Sequence, residues 1–257
     1  MSIVLSGVTA GYGRNKPIVE NIDLTIRTGE VTVLIGPNGC GKSTLLKTIA
    51  RLLKPRQGSI QVDALDVLGS NAKRVARTIA YLPQSPIVPT AITVEQLVGY
   101  GRAPHQSLLG LRSARDIALV DQAIATTGLD DFRHQAVAEL SGGQRQRAFI
   151  AMALAQDTPY VMLDEPTTFL DIRHQNETME LVRQLHDAGR TSIVVLHDIA
   201  QAARYGDRLV AMNAGRIVAE GRPEAVVTPE LLESVYGLRC MVYADPVSGT
   251  PVVTPLQ

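Results

Sequence analysis

The segment Gly36-Pro37-Asn38-Gly39-Cys40-Gly41-Lys42-Ser43-Thr44 follows a short apolar run at 31–35 and opens a helix expected over about 42–53. Glycines at 36, 39 and 41 let the backbone curl until its N–H groups point inward at phosphate oxygens. The helix start adds partial positive charge. Lys42 suits the β- and γ-phosphates, and the Ser43 hydroxyl suits Mg²⁺, which keeps most of its shell as water and phosphate oxygen. A bare glycine turn is the plain alternative, but a chance match to GxxxxGK[ST] at this length is on the order of one in a hundred. The strand–loop–helix setting favours a nucleoside triphosphate site. It does not separate a kinase, a GTPase, a helicase or a transporter ATPase.

Tyr160-Val-Met-Leu-Asp164-Glu165 reads as an apolar strand ending in two acids. Successive strand side chains face opposite ways, yet past the strand end the chain can turn both acids to one side. Asp164 suits Mg²⁺, and Glu165 suits the water that attacks a γ-phosphate. Alone, such acids would be a solvated strand end or a turn cap. Beside a phosphate loop they read as a catalytic pair. In Leu140-Ser141-Gly142-Gly143-Gln144, Ser141 and Gln144 form a capping box for a helix running to about Gln156. Two adjacent glycines at an exposed helix start also make an anion site, the second in this chain.

With that segment the sequence resembles ABC-transporter nucleotide-binding subunits, whose signature is LSGGQ. A chance LSGGQ is on the order of a few in ten thousand at this length. The resemblance implies a head-to-tail pair in which Ser141, Gly142, Gly143 and Gln144 close over ATP held by the partner copy, giving two composite sites under twofold symmetry. It further implies that Tyr12 stacks on adenine, and that Gln84 touches Mg²⁺ or water and links to a helical subdomain. Asp171 would cross the dimer interface, and His197 would contact the γ-phosphate. Taken singly, Tyr12 could be packing, Gln84 a loop amide, Asp171 a cap for a helix near Ile172, and His197 structural. Their order along the chain carries the assignment. His105, His134, His174 and His186 have no such support. Arg145 and Arg147 read as a solvated or salt-bridged helix face.

The resemblance spans the whole chain and is strongest to the subfamily serving iron–siderophore, haem and cobalamin importers. It rests on stretches such as Gly101-Arg-Ala-Pro-His105, AMALAQDT at 151–158 and LDEPTTFLDIRHQ at 163–175. Ferric-siderophore import is the favoured cargo. Ile199-Ala200 and Arg222 depart from the usual residues. Polytopic membrane permease subunits, an indirect link to a substrate-binding protein and a peripheral place on the cytoplasmic face of the inner membrane are implied. No nucleic-acid partner is expected. A soluble ABC-type ATPase of ribosomes or DNA, or a module that binds ATP without hydrolysis, are the alternatives.

The remaining sequence must position these groups. With 257 residues, 45% hydrophobic, the chain fits one α/β domain with subdomains. Lys plus Arg and Asp plus Glu both number 25, so there is no global basic field for nucleic acid or anionic membrane. No apolar run approaches the ~20 residues of a membrane span, and residues 1–7, without a charged flank or long apolar stretch, are not expected to act as a secretion signal. The two cysteines, Cys40 and Cys240, read as reduced. Cys40 is expected to have a lowered thiol pKa beside a helix start.

Strands expected at 19–27, 31–35, 160–163 and 192–196, and a hairpin over 208–219, alternate with helices. This pattern, with the resemblance, implies an α/β P-loop NTPase (RecA-like) core with an N-terminal antiparallel β subdomain and an inserted α-helical subdomain. The ATPase domain is expected over 1–240, the helical insertion over about 85–156, and a tail hairpin over 241–257. Capping boxes at Thr93–Gln96 and Ser113–Asp116 would open helices in the insertion, with Gly101 and Gly128 suiting their ends. Thr228-Pro229 would open a late helix closed by Gly237.

Overall fold

The computed structural model describes residues 2–13, 16–87, 91–106 and 112–256. The elements run β1 (Ser2–Ala10), β2 (Val19–Arg27), β3 (Val31–Ile35), α1 (Lys42–Ile49), β4 (Gln57–Val62), β5 (Leu65–Asp66), α2 (Ala72–Ala76) and β6 (Ile79–Leu82). Next come α3 (Val94–Tyr100), α4 (Ala114–Thr126), α5 (Gly142–Ala155), β7 (Tyr160–Asp164), α6 (Ile172–Asp187), β8 (Thr191–Val195) and α7 (Ile199–Tyr205). The chain closes with β9 (Arg208–Asn213), β10 (Arg216–Gly221), α8 (Pro223–Val226), α9 (Pro229–Tyr236), β11 (Cys240–Ala244) and β12 (Pro251–Pro255).

Strands of opposite pattern build two different sheets. β2 alternates buried Ile22, Leu24 and Ile26 with exposed residues, as a strand with one wet face does. It pairs antiparallel with β1 in a four-stranded sheet of order β2-β1-β4-β5. The continuous apolar runs β3, β7 and β8 are buried throughout. They lie in a six-stranded sheet of order β10-β9-β3-β8-β7-β6, parallel except for β10 at its edge.

The period of two splits each central strand between two cores. Val33 of β3, Leu163 of β7 and Val194 of β8 enter the core shared with α3–α6. Leu34, Met162 and Val195 enter the one shared with α1 and the antiparallel sheet. All three strands therefore stay fixed in register, which is the condition for placing chemistry at their ends.

Both inner capping boxes form, at Thr93/Gln96 and Ser113/Asp116. Two expectations need correction. Helix α1 ends at Ile49, short of 53, because Arg51 turns left-handed at φ 60°. The N–H groups of Arg51 and Leu52 then close onto the carbonyls of Thr48 and Lys47, a six-residue stop that Arg here supplies in place of glycine. Gly101 ends α3 in ordinary right-handed backbone at φ −56°. Its small size is instead needed for packing, since a Cβ there would sit 2.1 Å from the Met152 carbonyl oxygen on α5. Beside it, buried Arg102 ties Asp116 at the start of α4 to the Ala155 and Gln156 carbonyls at the end of α5. In the tail, β11 and β12 form a two-stranded hairpin.

Candidate active site

Parallel strands deliver their C-terminal ends to one edge of the sheet, where ligands of such folds bind. β3 leads into Gly36, β7 ends in Asp164, and β8 leads to His197. The phosphate loop is wedged between two supports. A Cβ on Gly36 would sit 2.2 Å from the Met212 carbonyl oxygen, and one on Gly41 2.7 Å from Val19 Cγ1. The turn between β9 and β10 braces the loop further, the Gly215 N–H donating to the Cys40 carbonyl at 3.0 Å.

Gly41 caps α1 without a side chain. Among the described residues, the N–H groups of Gly39, Gly41, Lys42, Ser43 and Thr44 take no acceptor. These are the donors an anion needs at a helix start. The Lys42 ammonium is buried and folded over the loop, donating to the carbonyls of Gly36 (2.7 Å) and Pro37 (3.2 Å).

Cys40 departs from expectation. Its side chain turns inward, 4% exposed, into the core behind the loop. Burial pushes the thiol pKa up, and this outweighs the opposing pull of Lys42. Only its backbone remains in the phosphate cradle.

Glu165 follows the last strand residue at φ 53°. That left-handed step, uncommon for a side-chain-bearing residue, turns the chain so that Asp164 and Glu165 serve the same edge. Asp164 Oδ1 accepts from Ser43 Oγ at 2.8 Å, and Oδ2 accepts from the Tyr81 hydroxyl at 3.1 Å. Burial raises the Asp164 pKa, opposed by those two hydroxyls and reinforced by the nearby Glu165 charge. Burial and Asp164 likewise push the Tyr81 hydroxyl well above its usual range. Glu165 Oε1 meets His197 Nε2 at 2.6 Å. Its Oε2 accepts from the Gln84 amide and, at 3.1 Å, from Thr168 Oγ1.

The oxygen set fits Mg²⁺. A hydroxyl touching a desolvated carboxylate, with an amide nearby, gives the few hard ligands that Mg²⁺ takes from a protein. A dication would also offset the burial that strains Asp164. Among the described residues there is no cluster of three His, Cys, Asp or Glu side chains that would favour another metal.

The structure thus joins Lys42, Ser43, Gln84, Asp164, Glu165 and His197 at one edge. Tyr12, just after β1, is half exposed. Ser141 and Gln144 form their capping box on α5. Asp171 caps α6, accepting from the His174 N–H (2.9 Å) and from its Nδ1 (2.8 Å). Among the described residues, no hydrogen bond joins Ser141, Gly142, Gly143, Gln144 or Asp171 to that edge.

A sequence profile described as ABC transporter matches residues 19–168. This chain belongs to the ABC transporter family. The cassette is 48% identical to the ferric enterobactin transport ATP-binding protein FepC of Escherichia coli strain K12, over 97% of this chain and 92% of that protein. It is 46% identical to the petrobactin import ATP-binding protein FpuD of Bacillus anthracis, over 96% and 91%. Among solved structures it resembles the dimeric ATP-binding cassette MJ0796, in a post-hydrolysis state with ADP and Pi. The TM-score is 0.75 at 28% identity, covering 86% of this chain and 98% of that one. As an ABC ATPase, the chain binds and hydrolyses ATP.

Three residues of the cassette escaped the sequence reading. Tyr81 donates to Asp164, Thr168 donates to Glu165, and His174 holds Asp171. Tyr81 had a weak signal, since it lies in the strand that leads to Gln84. His174, three residues past a helix cap, resembled an ordinary first-turn residue.

Proposed function

We propose that this chain is the ATP-hydrolysing subunit of a ferric-siderophore importer, working as a head-to-tail pair beneath polytopic membrane permease subunits. One observation carries the paired reading. Among the described residues two helix starts are rich in glycine, the uncapped one at Gly41 and the one at Ser141 and Gly142 closed by a capping box, and of these only the one at Gly41 is joined to the acids Asp164 and Glu165. The other, at Ser141 and Gly142, is exposed and available to a nucleotide on a second copy. MJ0796 was solved as a dimer.

ATP is the substrate. Tyr12 stacks on adenine, and the loop N–H groups from Gly36 to Thr44 with Lys42 hold the phosphates. Mg²⁺, held by Ser43, Asp164 and Gln84, would neutralise charge on the β- and γ-phosphate oxygens. Glu165 orients a water toward the γ-phosphorus and takes its proton as the bond to the β–γ bridging oxygen breaks, leaving ADP and phosphate. His197 positions Glu165 and meets the γ-phosphate. Ser141, Gly142, Gly143, Gln144 and Asp171 complete the partner's site. Closure then moves the helical insertion over about 85–156, and through the Gln84 loop the permease. The substrate-binding protein is coupled only through the permease. Among the described residues no helix is long and apolar enough to cross a membrane, so attachment to the cytoplasmic face of the inner membrane runs through these partners.

The names of FepC and FpuD support the cargo class. The test is co-purification with the permease encoded beside the gene, then reconstitution in liposomes with its binding protein. Expected is ATP-driven uptake of a ferric siderophore, lost in Glu165→Gln. Uptake of cobalamin or haem in its place would overturn the cargo; recovery with ribosomes or DNA and no membrane protein would overturn transport.

A further inference from the structure

We infer that His174 is a positioning residue that locks the signature helix start at Gly143 to Asp171, so that one copy offers both to its partner's nucleotide as a single piece. The inference rests on the head-to-tail reading above and adds to it a residue within each copy.

The imidazole is gripped on both sides. Its Nδ1 lies 2.8 Å from Asp171 Oδ1, the same oxygen that accepts the His174 backbone N–H at 2.9 Å. Two donors on one carboxylate oxygen fix the Asp171 rotamer, and the side chain remains largely exposed, with Oδ2 free of partners among the described residues. The rest of the ring lies on Gly143. A Cβ there would fall 2.2 Å from His174 Cδ2, 2.6 Å from Cγ and 2.8 Å from Nε2. Those distances are far inside van der Waals contact, so only glycine admits the ring. Ser141 and Gly142 are exposed, whereas Gly143 beside them is buried beneath it.

The contact joins parts that otherwise pack elsewhere. Helix α5 packs chiefly on α3 and α4, and α6 on β8 of the six-stranded sheet. Signature glycine and Asp171 therefore have separate supports, and the ring of His174 spans them. If both act on the partner's nucleotide, their relative position must survive closure, and a ring wedged between them keeps it. Among the described residues His174 makes no hydrogen bond to the phosphate loop or to Asp164 and Glu165 of its own copy.

The test uses Glu165→Gln as the parent, which should accumulate an ATP-bound dimer. Three quantities are read: nucleotide affinity of the monomer, ATP concentration for half-dimerisation, and thermal midpoint. His174→Ala should raise the ATP needed for dimerisation by about tenfold, the scale of one lost hydrogen bond and contact, while monomer affinity stays within about twofold. His174→Asn, which keeps a donor toward Asp171 but loses the ring on Gly143, should fall between. Gly143→Ala should block dimerisation through collision with the ring, and adding His174→Ala should restore part of it. Unchanged dimerisation in His174→Ala, or no relief of Gly143→Ala, would overturn the inference while leaving the paired mechanism intact. Failure of the Glu165→Gln parent to dimerise would bring down that mechanism, and this inference with it.

Discussion

His197 Nε2 lies 2.6 Å from Glu165 Oε1, tying the loop after β8 to the loop after β7. Gln84 and Thr168 hold the other oxygen, so the carboxylate is gripped from three segments. A group held in this way acts as a unit with its holder. Glu165→Gln and His197→Ala are each expected to cut ATP turnover by about 10²–10⁴-fold. The double variant should be little worse than the poorer single one. Steady-state phosphate release by the assembled transporter measures all three. Losses that multiply would mean that the two side chains act separately.

Lys42 holds its ammonium over the phosphate loop through the Gly36 and Pro37 carbonyls, within a buried setting. Charge-assisted hydrogen bonds contribute about 1.5–3 kcal/mol each. Lys42→Ala should therefore weaken ATP binding by roughly ten- to a hundredfold. Titration with a fluorescent ATP analogue gives the affinity directly. An unaltered affinity would remove Lys42 from phosphate binding.

Legibility in the sequence followed the range of the interaction. The phosphate loop, the acid pair and the Ser141 capping box are local, since backbone geometry over a few residues dictates glycine, hydroxyl or carboxylate at fixed spacing. The central strands were legible because full burial demands unbroken apolar runs, as in Val31–Ile35. Two of the three residues that escaped depend on contacts between distant segments, while Thr168 meets Glu165 within one turn. Tyr81 meets Asp164, and His174 lies on Gly143; neither pairing leaves a spacing to read. The same cause misled at Gly101 and Cys40. Glycine at a helix end suggests a left-handed cap, but Gly101 answers to Met152 across the packing. A cysteine at a helix start suggests a lowered pKa, but the Cys40 side chain faces the core.

That inward turn makes a prediction of its own. Burial shields the Cys40 sulfur and raises its pKa above the ordinary thiol range, so little thiolate exists near neutral pH. Cys240 is buried as well. The folded protein at pH 7.5 should react with an alkylating reagent at least about tenfold more slowly than after unfolding, with or without ATP. Mass spectrometry of the labelled peptides follows both sites. Rapid labelling of Cys40 that ATP prevents would show the thiol to be open at the nucleotide site.

The buried pair of Arg102 and Asp116 should set part of the acid stability. The guanidinium and carboxylate meet at 2.7 Å, each under 10% exposed. Burial alone would raise the Asp116 pKa, but hydrogen bonds from Ser113 and the charge of Arg102 outweigh it and hold the group at about 2. A folded pKa below the unfolded one stabilises the protein above the ordinary carboxylate range, and that stabilisation is lost as pH falls through about 2. It is worth about 2 kcal/mol at neutral pH. Asp116→Asn should lower stability at pH 7 by about 3–5 kcal/mol, since it leaves Arg102 charged and buried without its partner. Because the variant lacks the titrating carboxylate, its deficit should narrow as pH falls from 5 toward 2. Urea unfolding midpoints at pH 7, 5, 4 and 3 follow this convergence. A deficit constant across that range would mean that Asp116 contributes no proton linkage, and that its role is confined to capping α4.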